Sequence, residues 1–157
     1  MNNDFSLNDL FPVMEEVLNS GGEFKMISGG TSMLPMLRDK KDTVVLIKNP
    51  SKLKKGDVPL YKRCDGSFVL HRVVKVKDDV YTMRGDNHYV SEYPVYNDQI
   101  IAILTAYIKN GKRIECSGFK YKLYSFYVIN FLPLRFILKK GRKLISKIKH
   151  KIFKKSA

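Results

Sequence analysis

From residue 23 to residue 116 the sequence repeats one local pattern. A short run of alternating apolar and polar residues ends in a turn dipeptide, and another run begins. Runs rich in β-branched and aromatic residues occupy 23–27, 43–47, 58–61, 68–76, 80–83, 99–108 and 112–116. Gly56-Asp57, Asp65-Gly66, Asp78-Asp79 and Asn110-Gly111 punctuate them. A period of two places alternate side chains on opposite faces of an extended backbone, and Asn-Gly and Asp-Gly supply the backbone freedom a hairpin requires. Many short strands with such turns specify a mostly antiparallel β domain.

The N-terminal end reads differently. Leu10, Val13, Met14, Val17 and Leu18 recur at helical spacing, with Asp9 as the expected N-cap and Pro12 in the first turn. Gly21-Gly22 ends this short amphipathic helix. The first 18 residues lack a basic leader and a long apolar run, so neither a secretory signal nor an N-terminal transmembrane helix is expected.

A chain of 157 residues, 44% of them hydrophobic, can bury a core without disulfide or metal support. Cys64 and Cys116 have neither CxxC spacing nor a histidine pair suited to zinc, and Asp78-Asp79 reads as a turn. No metal and no cofactor are expected.

The formal charge of +14 is concentrated at one end. Every acidic residue lies at or before Glu115, and residues 120–155 carry 12 of the 29 Lys and Arg. What precedes is nearly neutral. The composition breaks near residue 117, dividing the chain into a body, 1–117, with a β core over 22–108, and a basic tail, 118–157. In the tail, 123–134 is uncharged. After Pro133, Leu134, Ile137, Leu138, Leu144, Ile145, Ile148 and Ile152 recur every three or four residues among Lys and Arg. That pattern suits a helix lying in a membrane interface, and residues 119–155 are the expected contact with an anionic membrane surface.

The chemistry-bearing residues are dispersed. Ser32 lies in Gly29-Gly30-Thr31-Ser32-Met33-Leu34-Pro35, His71 precedes Arg72-Val73, and Asp86 lies in Gly85-Asp86-Asn87, followed by Glu92. Each piece alone reads as a turn or a structural residue. His88 reads as a loop residue and His150 as part of the solvated tail. In their order and spacing, however, Ser-Met-x-Pro, Lys41-Asp42, Gly56-Asp57, His71-Arg72-Val73 and Gly85-Asp86-Asn87 resemble the signal peptidase I family of serine peptidases. The resemblance covers about 27–106. It is closest to the Ser-His branch found in archaea, the endoplasmic reticulum and some spore-forming bacteria.

The resemblance implies the β fold shared by signal peptidases and self-cleaving LexA-type repressors. It also implies Ser32 as nucleophile, with its backbone N–H in the oxyanion hole, and His71 as general base. Asp86 matches the first acidic position of the last motif. Glu92 stands where the family usually has a second Asp, so either carboxylate is a candidate to orient His71. Lys41-Asp42 replaces the more usual Gly-Asp. These roles are chemically coherent, because a serine hydroxyl needs a base within hydrogen-bond reach, and an imidazole near pKa ~6.5 can supply it.

The expected function is therefore a serine endopeptidase acting on an extended peptide or precursor protein. The family's N-terminal transmembrane helix is replaced here by a short amphipathic one. The basic tail favours a peripheral position on the cytoplasmic membrane face. The alternatives are a non-catalytic, membrane-associated peptide-binding relative and, less favoured, a nucleic-acid binder. Residues 1–31 are too short for a DNA-reading helix-turn-helix.

Overall fold

The computed structural model describes residues 7–49 and 52–131. Helix α1 (Leu7–Asn19) leads into nine strands: β1 (Phe24–Ile27), β2 (Thr43–Lys48), β3 (Pro59–Lys62), β4 (Phe68–Leu70), β5 (Arg72–Lys77), β6 (Val80–Arg84), β7 (Glu92–Val95), β8 (Ile100–Lys109) and β9 (Lys112–Glu115). Helix α2 (Phe119–Asn130) follows. The fold is mainly β and every strand pair is antiparallel. One sheet runs β1-β2-β8-β3-β4, with β9 also on β8; the other runs β5-β6-β7.

The turn dipeptides fall where their chemistry places them. Asp78 and Asp79, both at positive φ, reverse β5 into β6, and Asn110-Gly111, likewise at positive φ, reverses β8 into β9. Two hydrophobic clusters fill the interior. Met14 and Leu18 of α1 pack with Leu37, Val44, Leu46 and Leu104, while Tyr61, Val73, Tyr81, Met83 and Val95 form the second cluster.

Three local expectations change. The helix includes Leu7, so Asp9 lies inside its first turn rather than capping it, and Pro12 is an interior residue on an exposed face. Leu7 and Phe11 pack against the core, and those tertiary contacts extend the helix past its local signals. Strand β7 is not among the runs read from the sequence, and it contains Pro94. A proline is tolerated there because, among the described residues, β7 pairs only with β6, at the edge of its sheet.

The third change positions the site. The run 68–76 is not one strand. Leu70 pairs with Leu60 in the large sheet and Arg72 pairs with Arg84 in the small one. His71 is the non-strand residue where the chain passes between them.

The composition break near residue 117 falls just before α2. The helix lies against the body, with Tyr121 and Tyr124 packed on the core and Ser125 and Val128 buried. Residues 132–157, which hold the periodic apolar stripe and His150, lie outside the described residues.

Candidate active site

The Ser32 loop is closed at its base and anchored along its length. Ser28 N–H donates to Asp42 O (2.8 Å) and Lys40 N–H donates to Ser28 O (2.8 Å). Asp42, fully buried, accepts from the Arg38 guanidinium at 2.6 and 3.1 Å and from the Arg38 N–H at 2.8 Å. Those Arg38 hydrogen bonds hold the Asp42 carboxyl below its usual range against the opposing effect of burial. Met33, Met36 and Leu37 bury their side chains directly after the serine. Burying each of these contributes about 1.5–3 kcal/mol, which fixes the loop without using Ser32 itself.

The second clamp comes from the turn after β6. Asn87 N–H donates to Ser32 O (2.7 Å), and Asn87 Nδ2 donates to Thr31 O (3.0 Å). Gly85, at the start of that turn, is a point of close approach. A Cβ there would lie 2.8 Å from Ser32 O, 3.1 Å from Ser32 Cβ and 3.1 Å from His71 Nε2. The bare glycine backbone thus lets Ser32 and the Nε2 edge of His71 converge on one point.

The other edge of the ring is held by a carboxylate. Glu92 Oε1 lies 3.0 Å from His71 Nδ1. Glu92 Oε2 accepts from Tyr61 Oη and from Arg63 Nε, each at 2.8 Å, and Arg63 Nη2 reaches Oε1 at 2.5 Å. Tyr61 Oη is itself 3.3 Å from His71 Nδ1. With Nδ1–H facing a carboxylate, the lone pair of the neutral imidazole resides on Nε2, on the Ser32 side.

The electrostatics agree with that tautomer. His71 is buried, 3% exposed, and desolvation lowers its pKa below 6.5 despite the opposing charge of Glu92. Burial acts to raise the Glu92 pKa, but the hydrogen bonds from Arg63 and Tyr61 outweigh it and the net direction is down. Glu92 is therefore ionised, and His71 is neutral near pH 7.

Asp86 lies elsewhere. Its carboxylate takes Arg72 Nε and Nη2, both at 2.8 Å, and Tyr124 Oη at 3.0 Å. Both partners of this ion pair have fully buried side chains. Arg72 Nη1 donates further to Gly56 O, Tyr121 Oη and Ser125 Oγ. Of the four predicted side chains, the structure brings Ser32, His71 and Glu92 together and gives Asp86 to Arg72.

A cleft of about 460 Å³ opens beside Ser32 and His71. Met26 and Ile27 of β1 line one side and Phe68, Val69 and Leu70 of β4 another, over a floor that includes Leu46 and Leu60. Among the described residues both flanking strands are sheet edges. Each presents unpaired backbone groups to which an extended peptide can add. Among the described residues the Ser32 N–H has no hydrogen-bond partner, whereas Gly30 N–H is taken by Asp39 Oδ1 (2.7 Å).

Sequence reading missed three contributors. Tyr61 and Arg63 read as ordinary residues on and beside a strand, and nothing local ties them to Glu92. His88, read as a loop residue, lines the cleft with its ring 5.5 Å from that of His71 in an edge-on arrangement. Gly85 carried a signal, its place before Asp86-Asn87, but its steric role depends on a distant loop. No family model, curated protein or solved structure matches the chain.

Proposed function

We propose that the protein is a serine endopeptidase cleaving an extended peptide or precursor protein, with Ser32 as nucleophile and His71 as general base. The observation that carries this reading is the convergence of Ser32 and His71 Nε2 at Gly85, with Glu92 on His71 Nδ1. In this reading His71 Nε2 takes the Ser32 hydroxyl proton as Oγ attacks the peptide carbonyl. The tetrahedral oxyanion receives the Ser32 N–H. His71 then returns the proton to the leaving amine, leaving an acyl-enzyme that water hydrolyses by the same steps. Glu92 holds the Nδ1–H tautomer and stabilises the transient imidazolium.

The substrate adds as a strand in the cleft between β1 and β4, with apolar side chains against Met26, Phe68 and Leu70. The site lies near an anionic membrane, on the cytoplasmic face, held by residues 119–155, where each nearby Lys or Arg contributes about 1 kcal/mol. No helix among the described residues is long and apolar enough to cross a membrane. The Ser-His resemblance over 27–106 is consistent with the peptidase assignment.

A fluorophosphonate probe tests the reading directly. It should label the purified protein at Ser32, with labelling lost in Ser32→Ala and in His71→Ala. A folded protein that takes no label would instead favour the non-catalytic peptide-binding alternative.

A further inference from the structure

Helix α2 has two chemically different faces. The inner face is tied to the Arg72–Asp86 pair: Arg72 Nη1 donates to Tyr121 Oη (3.0 Å) and Ser125 Oγ (2.9 Å), and Tyr124 Oη donates to Asp86 Oδ2 (3.0 Å). Arg84 Nη2 donates to Val128 O (3.1 Å) and Ile129 O (3.3 Å) near the helix C-terminus. In the chain Arg72 directly follows His71, and Asp86 directly follows Gly85. The inner face of α2 therefore holds the two segments that converge on Ser32.

The outer face is apolar and open. Phe119 is 80% exposed, and Leu123 and Phe126 are each 58% exposed. Their i, i+4, i+7 spacing places them on one stripe, extended by Phe131, whose ring stacks on Tyr127 at 5.8 Å. Exposed Lys120 and Lys122 flank the stripe, and Lys54 and Lys55 lie across a groove of about 490 Å³ beside the helix. No acidic residue follows Glu115. Apolar rings bordered by Lys54, Lys55, Lys120 and Lys122, against a single groove carboxylate, Asp57, carry a net positive margin that complements an anionic lipid surface, with hydrocarbon for the rings and phosphate for the ammonium groups.

We propose that the outer face of α2 is the docking surface for an anionic lipid bilayer, and that docking tightens the Ser32–His71 site by holding α2 against the Arg72–Asp86 pair. A helix of 12 residues is marginal alone, so its folded state depends on what it packs against. Lipid on the outer face adds binding free energy to the state in which the inner face is hydrogen-bonded. Only the catalytic consequence rests on the peptidase reading; docking and tightening do not.

The test uses the full chain with phosphatidylcholine vesicles, with and without phosphatidylglycerol. The protein should cosediment with the anionic vesicles, and the triple variant Phe119→Ser/Leu123→Ser/Phe126→Ser should bind them about tenfold more weakly or worse. Anionic vesicles should slow amide hydrogen exchange in α2 and in the segments around Arg72 and Asp86 by about threefold or more. They should also speed fluorophosphonate labelling of Ser32, while the triple variant keeps the lipid-free rate. Wild-type affinity in the triple variant would overturn the docking surface. Self-association abolished by the same substitutions, without vesicle binding, would replace the bilayer by a second copy of the chain. Vesicle binding with unchanged exchange around Arg72 and Asp86, or with slower labelling, would overturn the coupling. If no condition labels Ser32, the peptidase reading fails, and binding and exchange still decide this one.

Discussion

Glu92 Oε1 sits 3.0 Å from His71 Nδ1, and Asp86 does not take part in that contact. Two acidic residues close in sequence have been given different tasks. Asp86 neutralises a buried guanidinium, and Glu92 orients an imidazole while being held by Tyr61 and Arg63.

Substituting the two carboxylates should separate those tasks. Glu92→Gln should lower probe labelling or peptide cleavage about a hundredfold or more, through loss of the oriented tautomer, at modest cost in stability. Asp86→Asn should cost about 3–5 kcal/mol of stability, because it leaves Arg72 charged and buried without a counter-ion. Urea titrations alongside labelling rates check both outcomes.

The reaction should fail in acid with a midpoint below the ordinary imidazole value of 6.5. Burial lowers the His71 pKa, so the neutral base persists to lower pH than a free imidazole would. The same shift affects stability. Below pH 6.5 the unfolded chain binds a proton that folded His71 resists, so folding stability drops as pH falls through that window. Labelling rates and denaturation midpoints from pH 8 to pH 5 measure both; a midpoint above 6.5 contradicts the desolvated site.

Gly85→Ala should disable the site while leaving the sheets intact. Its Cβ would lie within 3.1 Å of Ser32 Cβ and His71 Nε2 and 2.8 Å from a backbone oxygen, too close for either loop to keep its place. Labelling should fall about a hundredfold, since catalysis is intolerant of shifts near 1 Å, with a near-native far-UV spectrum. Retained labelling would mean the two loops do not need this approach.

Removing the hydrogen bonds that Arg72 donates to α2 should destabilise the body through residues that do not line the cleft. Ser125→Ala and Tyr121→Phe each delete one partner of Arg72 Nη1, which keeps its bond to Gly56 O. Bonds to a charged donor contribute about 1.5–3 kcal/mol each, and thermal denaturation should register losses of that order. A loss in the double variant larger than the sum of the single losses would identify the two acceptors as sharing one N–H, each compensating for the other in the single variants.

Local chemistry alone determined the antiparallel β class, the positions of the hairpins and the short helix. Period-two alternation, and turn dipeptides that accept positive φ, act over a few residues and need no distant partner. The order of the Ser32, His71 and Asp86 motifs also pointed to the segments that meet. Tertiary structure decided the rest, for reasons of long-range pairing. Alternation over 68–76 is the same for one strand as for two, and only the choice of Leu60 and Arg84 as partners broke it at His71. Which carboxylate faces the imidazole depended on where the buried Arg72 guanidinium found its charge. Once Asp86 compensated that desolvated ion, Glu92 remained for His71. The desolvation cost of one arginine, invisible in any short window of sequence, sorted the two carboxylates.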